Sequence, residues 1–277
     1  MTIAIFSLLV FLISCFAGVL GALTGLGGGV VIIPVLVLLF DVDIHYAMGA
    51  SLISVIATSS GTAMAYLKEG YVNLRIGIFL ETGAVIGALI GAYLVTFFPT
   101  SLLAIILGIV LIFSAVFSLT NKKNIPSKKQ SHLAMTLKLD GKYPDHEKMK
   151  TYHVQRVPLG FSLLTFAGFM SGLLGIGSGA LKVLAMDKAM GLPYKVSTTT
   201  SNFIIGITAT VSCGIYFARG YIDPVITFPV LLGVVLGSYC GAKILIKMAT
   251  NLLRILFAGV LFLISVQLIY KGIMGAV

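Results

Sequence analysis

Apolar residues run along this chain in long blocks, and polar residues gather in the short gaps between them. The blocks fall at roughly 2–24, 28–40, 45–67, 75–97 and 101–119, and again at 158–174, 178–190, 196–218, 224–246 and 251–273. A helix that spans a bilayer takes about 20 apolar residues, so four blocks of each five are long enough to cross. The second of each five is not. Its 13 residues would reach about 20 Å as a helix, against a hydrocarbon core of about 30 Å. Each short block directly follows a glycine cluster, at 25–29 and at 175–179. The pattern predicts an all-α integral membrane protein.

The two sets of five are copies. At an offset of 150 residues and without a gap, Phe16-Ala17-Gly18 matches Phe166-Ala167-Gly168, and Ser51 matches Ser201. Gly25, Gly27 and Gly29 match Gly175, Gly177 and Gly179. Further on, Tyr66, Gly70 and Tyr71 match Tyr216, Gly220 and Tyr221, and Gly83, Gly87 and Gly91 match Gly233, Gly237 and Gly241. Such a register marks two structurally related halves. The chain divides into a first transmembrane repeat (1–119), a central loop (120–157) and a second repeat (158–277). Short, glycine-interrupted segments at matching places in two halves are the best sequence pointer to a transporter binding site.

Composition narrows the class. With 58% hydrophobic and 10% charged residues and a mean hydropathy of +1.07, a soluble globule would lack the polar groups to cover itself. Lipid must cover it instead. A net charge of +10 would raise nucleic acid as a partner in a soluble protein, but here the cations gather in one loop. Lys122, Lys123, Lys128, Lys129, Lys138, Lys142, Lys148, Lys150 and Arg156 all lie there, as in the cytoplasmic loops of membrane proteins. Nucleic acid is set aside as a partner.

Orientation follows from the same residues. If all ten segments cross with the central loop inside, Lys68, Arg75, Lys188, Lys195, Lys243, Lys247 and Arg254 also fall inside, and Arg219 and Lys271 fall outside. If the short segments turn back, Lys188, Lys195, Lys243, Lys247 and Arg254 move outside. The charge bias therefore favours five crossings per half, and halves with odd numbers of crossings are inverted relative to each other. The expected protein is a multi-pass cell-membrane protein with a cytoplasmic central loop and external termini.

The loop itself, with Pro126, Gly141 and Pro144, reads as a partly disordered linker resting on anionic headgroups. Its His132, His146 and His153 read as solvated, with metal binding or pH sensing as the alternative. Cys15, Cys213 and Cys240 stand singly in apolar blocks, which argues against a disulfide framework or a zinc site. Leu12-Ile13-Ser14-Cys15 is similar to a lipoprotein cleavage box, but no Lys or Arg precedes it and the block has an internal copy. The first block reads as a membrane helix.

Candidate chemistry concentrates at the glycine clusters, Gly25-Leu26-Gly27-Gly28-Gly29 and Gly175-Ile176-Gly177-Ser178-Gly179. Each would end one helix and begin a short one, leaving unpaired backbone N–H groups that suit an anion, with no side chain to hold the ligand off. Close helix packing is the alternative, and it is preferred for Gly83/Gly87/Gly91 and Gly233/Gly237/Gly241.

Lys182 lies one turn into the second short segment. A cation at that depth is costly unless it is partnered, hydrated or snorkelled, so it either faces a bound anion or reaches the outer headgroups. If it faces the anion, removing it would weaken binding and relieve its desolvation. Ser51, Ser54, Thr198, Thr199, Thr200, Ser201 and Asn202 open the third segment of each half. Ser51, Ser201 and Asn202 join the glycines, Ser178 and Lys182 as candidate substrate contacts, with bonding to their own backbone as the alternative. Glu81 carries a proton or pairs with a cation, Arg75 among them. His45, Asp41 and Asp43 form an external polar cluster.

Enzyme chemistry finds little support. Ile176-Gly177-Ser178-Gly179 is similar to a serine nucleophile loop, but no membrane segment supplies a histidine base. The chain has no GxxxxGK[ST] phosphate loop. No catalytic residue, metal site or cofactor is expected.

A first helix running into Gly-x-Gly-Gly-Gly with a downstream proline (Gly25–Gly29, Pro34), repeated in degenerate form at Gly175–Gly179, resembles the sulfite exporter TauE/SafE family, also called the toluene-sulfonate uptake permeases. The resemblance covers both halves and omits the central loop. It implies a secondary transporter of small sulfur-containing or organic anions, such as sulfite or sulfonates. The second half departs from the pattern at Ser178, where a glycine is expected, and at Leu184, where the proline is expected. Transport of another small solute, or a purely structural membrane role, are the alternatives.

Overall fold

The structure, a computed structural model, describes residues 3–24, 27–68, 70–119, 131–145, 148–247 and 251–275. The first half contains α1 (Ile3–Thr24), α2 (Gly29–Leu39), α3 (Ile44–Lys68), α4 (Leu74–Leu94, extended by a 3-10 turn) and α5 (Thr100–Leu119). The second contains α7 (Val157–Leu174), α8 (Gly179–Leu184, continued by a π-helical turn, Ala185–Ala189), α9 (Tyr194–Ala218), α10 (Pro224–Lys247) and α11 (Asn251–Ile273). Every apolar block is a helix with ends within about two residues of those expected, the usual spread of helix boundaries. Both short segments are present.

The protein is an all-α membrane protein. Among the described residues, five helices are long and apolar enough to cross a bilayer: Ile3–Leu23, Leu74–Phe97, Val157–Leu174, Tyr194–Ala218 and Pro224–Ile244. At 25 residues and about 37 Å, α3 has the length as well. It carries Ser51, Ser54, Thr58, Ser59 and Thr62, all buried. Other helices enclose it, so its hydroxyls face protein where lipid-facing helices must be apolar. The outer helices expose Leu12, Phe16, Ile86, Ile90, Phe166, Phe228 and Leu236, a surface suited to acyl chains.

Packing respects the repeat. α1 lies on α10 and α4 on α7, α3 packs on both α9 and α10, α9 also packs on α4, and α5 packs on α11. Exchanging the halves turns the α1–α10 contact into α7–α4 and the α3–α10 contact into α9–α4. The glycines at every fourth position make two of these contacts possible. A Cβ added at Gly87 would lie 2.0 Å from the Thr165 carbonyl oxygen, and one at Gly237 would lie 1.9 Å from that of Cys15. Only a residue without a side chain lets the backbones come so close. α4 and α9 run parallel: Asn73 meets Thr200, Glu81 meets Thr208 and Ala92 meets Arg219, all at one sequence offset.

The central loop corrects an expectation. Its described part, from residue 131, is folded and docked. A short helix α6 (His132–Thr136) precedes a hairpin of β1 (Gly141–Asp145) and β2 (Lys148–Tyr152). Ala134, Leu139, Tyr152, Val154 and Val157 are buried with Ile76, Leu80, Met186 and Met190 of the helical body. Asn73 fastens the joint. Its amide nitrogen donates to the Leu139 carbonyl at 3.0 Å and to the Tyr152 hydroxyl at 2.7 Å, while its Oδ1 caps α4 by accepting from Ile76 N–H at 3.1 Å. Burial pushes the Tyr152 phenol up to about 12. His153 pairs with Asp140 at 2.8 Å, so it is not simply solvated. Pro144 is tolerated because a two-stranded hairpin consists of edges.

Candidate functional site

The two chain breaks meet inside the protein. Gly27 and Gly177 both take left-handed backbone angles, φ +79° and +70°, which strain any L side chain. A Cβ on Gly27 would lie 3.2 Å from Val55 and 3.4 Å from Ile205, and one on Gly177 would lie 2.8 Å and 3.0 Å from the same two residues. Val55 on α3 and Ile205 on α9 are themselves related by the 150-residue offset. Two glycine turns and two apolar side chains thus form one paired centre, with each half supplying one of each.

Polar side chains surround the breaks. Ser51 donates to the Gly175 carbonyl at 2.6 Å, joining α3 of one half to the break of the other, and its Oγ sits against Gly29. Ser201 donates to the Gly179 carbonyl at 3.3 Å, and Asn202 donates to the Ala22 carbonyl at the end of α1 at 3.2 Å. Gly28 N–H donates to Thr58 Oγ1 at 3.1 Å, so this amide has a partner where an unpaired group was expected. Among the described residues, Ser178 Oγ, Thr198 Oγ1 and Asn202 Oδ1 are buried without a hydrogen-bond partner. Such atoms are uncommon in a native interior, because an unmade hydrogen bond costs about 1–3 kcal/mol.

Of the residues singled out from the sequence, Gly27, Gly28, Gly29, Gly175, Gly177, Gly179, Ser51, Ser201 and Asn202 are therefore joined by contacts around the breaks. Gly25 lies outside the described residues. Ser178, at φ +45°, stands at the N-terminal boundary of α8 and makes no side-chain capping bond. The pattern missed Val55 and Ile205, which the repeat register could have supplied as a matched pair beside matched glycines.

Lys182 neither snorkels nor stands alone. Its side chain is fully buried, and its ammonium lies 3.0 Å from Glu81 Oε2. The ammonium also donates to the Thr208 hydroxyl, which in turn donates to Glu81 Oε1. Arg75 is thus not the partner of Glu81. The pair joins α8 to α4 through α9. Removal of Lys182 would strand a buried carboxylate, so relief of desolvation alone no longer describes that change. The polar cluster of His45, Asp41 and Asp43 takes simple forms: Asp43 accepts from His45 N–H at 2.8 Å, and Asp41 pairs with Lys271 at 3.1 Å.

Comparison with known proteins places this geometry in context. The family model described as Sulfite exporter TauE/SafE matches residues 10–268. The probable membrane transporter protein YunE of Bacillus subtilis (strain 168) is 31% identical over 265 residues, covering 93% of this chain and 95% of that protein. The probable membrane transporter protein YdhB of the same organism is 30% identical over 85% of this chain and 89% of its own length. The probable membrane transporter protein MJ0441 of Methanocaldococcus jannaschii is 25% identical over 91% of each. No solved structure matches the chain.

Proposed function

The chain belongs to the sulfite exporter TauE/SafE family, and from that premise we propose that it is a secondary transporter of a small anion, such as sulfite or a sulfonate, bound between the two glycine breaks. It is a multi-pass membrane transporter. The observation that carries the finer reading is the convergence of Gly27 and Gly177 on one Val55–Ile205 pair. Paired breaks at the meeting of two halves are where secondary transporters bind their cargo. Val55 and Ile205 would separate to admit it, and the unpartnered Ser178 and Asn202 oxygens would gain partners. With no nucleotide loop in the sequence, an ion gradient or the membrane potential would drive the cycle.

Inverted halves and a cytoplasmic loop belong to the same proposal. The charge bias supports them. So does the close approach of Lys195, at the start of α9, to the Tyr71 ring ahead of α4, beside the docked loop.

The test is flux into proteoliposomes across a panel of sulfite, thiosulfate, methanesulfonate and acetate. Saturable flux of one or more anions, abolished in Gly177→Val, is expected. Flux of neutral solutes alone would replace the anion with another cargo. Unaltered anion flux in Gly177→Val would move the site away from the breaks.

A further inference from the structure

The Glu81–Lys182–Thr208 cluster is not something the fold requires. The offset that relates the halves carries Lys182 onto Ile32, Glu81 onto Leu231 and Thr208 onto Thr58. In the first half the threonine simply serves the chain break, accepting from Gly28 N–H and donating to the Ser54 carbonyl at 2.8 Å. Ile32 is buried in the main core, with Leu231 packed against that core. The equivalent site, from Ile32 of one half and Leu231 of the other, is therefore built apolar where this one holds an ammonium and a carboxylate. Replacing a buried ion pair with apolar residues of similar volume is often neutral or stabilising, so a pair kept at one of two equivalent sites calls for a role other than stability.

Position supplies that role. Lys182 lies four residues after Ser178, and its backbone N–H donates to the Ser178 carbonyl at 3.1 Å in the first turn of α8. Ser178 Oγ is buried and unpartnered, at the break that meets Val55 and Ile205. Glu81 lies seven residues into α4, about 10 Å from its start, well inside the hydrocarbon. We propose that Glu81 is the coupling-proton site and that it competes with the transported anion for Lys182, a mechanism that rests on the anion-transport reading above.

In the empty carrier the carboxylate holds the ammonium. A proton arriving on Glu81 makes a neutral carboxylic acid, which remains bonded to Thr208 and releases Lys182 to bond the anion beside Ser178. On the far side the anion leaves, Glu81 loses its proton, and the ion pair closes again. The balance is one proton and one anion per cycle. With a monovalent anion the site is neutral both empty and loaded, so neither form buries a net charge.

The surroundings leave the exchange to these groups. α5 and α7 carry no ionisable side chain. Asp187 and Lys188, after α8, pair with each other at 3.3 Å. Arg75 stands at the first turn of α4, and Tyr194 and Lys195 at that of α9. Cys213, Tyr216 and Arg219 lie toward the other end of α9, where Tyr216 donates to the Gly172 carbonyl and Arg219 to those of Ala92 and Tyr93.

Methanesulfonate is the probe, because its charge does not change with pH. Its affinity for the purified wild-type protein should fall as pH rises, by up to about tenfold per unit where one proton is linked to binding. Glu81→Gln, which imitates the protonated carboxyl, should bind at the wild-type's acid affinity at every pH. The difference between acid-minus-neutral infrared spectra of wild type and Glu81→Gln should contain a protonated-carboxyl band, because the other Asp and Glu side chains are common to both. Should Glu81→Gln fail to fold, Glu81→Leu/Lys182→Ile copies the equivalent apolar site. It should fold, bind no anion and, as the reference in place of Glu81→Gln, leave the same band in the difference. Equal pH dependence in wild type and Glu81→Gln, or a difference without the band, overturns the proton site and leaves anion transport standing. Absence of anion binding in every protein, together with no flux across the panel, overturns both.

Discussion

Separating Lys182 from Glu81 should destabilise the protein far more than removing both. The perturbation is a double-mutant cycle of Lys182→Ile, Glu81→Leu and the pair together, using the residues that the 150-residue offset places at the equivalent positions. Lys182→Ile leaves a lone carboxyl in a site that is about 4% exposed at Glu81. Glu81→Leu leaves a lone buried ammonium. Removing one partner of a buried pair costs about 3–5 kcal/mol, because the other charge is left uncompensated.

Each single change should lower Tm by on the order of 10 °C, at about 2–4 °C per kcal/mol for a chain of this size class. The double variant should melt near the wild type. Melting curves in one detergent measure all of this. Strict additivity, with the double as unstable as the summed singles, would refute the account of a mutually neutralising pair.

Other outcomes follow from the packing. Gly87→Val should lose several kcal/mol or fail to accumulate, since its Cβ would fall 2.0 Å from a carbonyl oxygen, whereas Gly214→Ala, with no atom within 4 Å, should gain about 0.5–1 kcal/mol in thermal melts. Tyr152→Phe should loosen the docked loop by about 1 kcal/mol, read as faster proteolysis after residue 131. In the wild type that docking is intact below pH 10, where a free phenol titrates. It should be lost as pH rises toward about 12, with phenolate absorbance as the measure, at a cost of about 2–3 kcal/mol. In a cysteine-free background, an impermeant thiol reagent added to intact cells should label a cysteine at Ile3 and spare one at Ser131. Labelling at Ser131 and not at Ile3 would refute the proposed orientation.

The helices were legible because lipid demands long apolar runs, and such runs have sharp polar ends. The short α2 and α8 were legible for the same reason, as was the packing role of Gly87 and Gly237. Two things were not. The hairpin at 141–152 buries only a few side chains, Tyr152 chief among them, so no extended alternation announces it. The partner of Lys182 lies 101 residues away on a helix whose neighbours are fixed by packing, and spacing along the chain says nothing about that. A usable signal was present all the same. Lys182 and Glu81 carry opposite charges at positions that the 150-residue offset relates to Ile32 and Leu231. The fold around the glycine breaks was readable, but that Val55 and Ile205 fill the space between them depends on how α3 crosses α9.

The close contact of α1 with α10 sets a schedule for biogenesis. α1 leaves the ribosome long before α10, yet the Gly237 surface that receives Cys15 belongs to α10. About 200 residues separate them, which at 5–20 residues per second takes about 10–40 s to synthesise. Through that interval α1 must wait in the bilayer beside lipid or a membrane chaperone. α4 and α7, the equivalent pair, are separated mainly by α5 and the central loop and can join much earlier. Assembly would then proceed from the middle of the chain outward, with the N-terminal helix completed last, and a nascent chain halted before α10 would leave α1 as its most protease-sensitive helix.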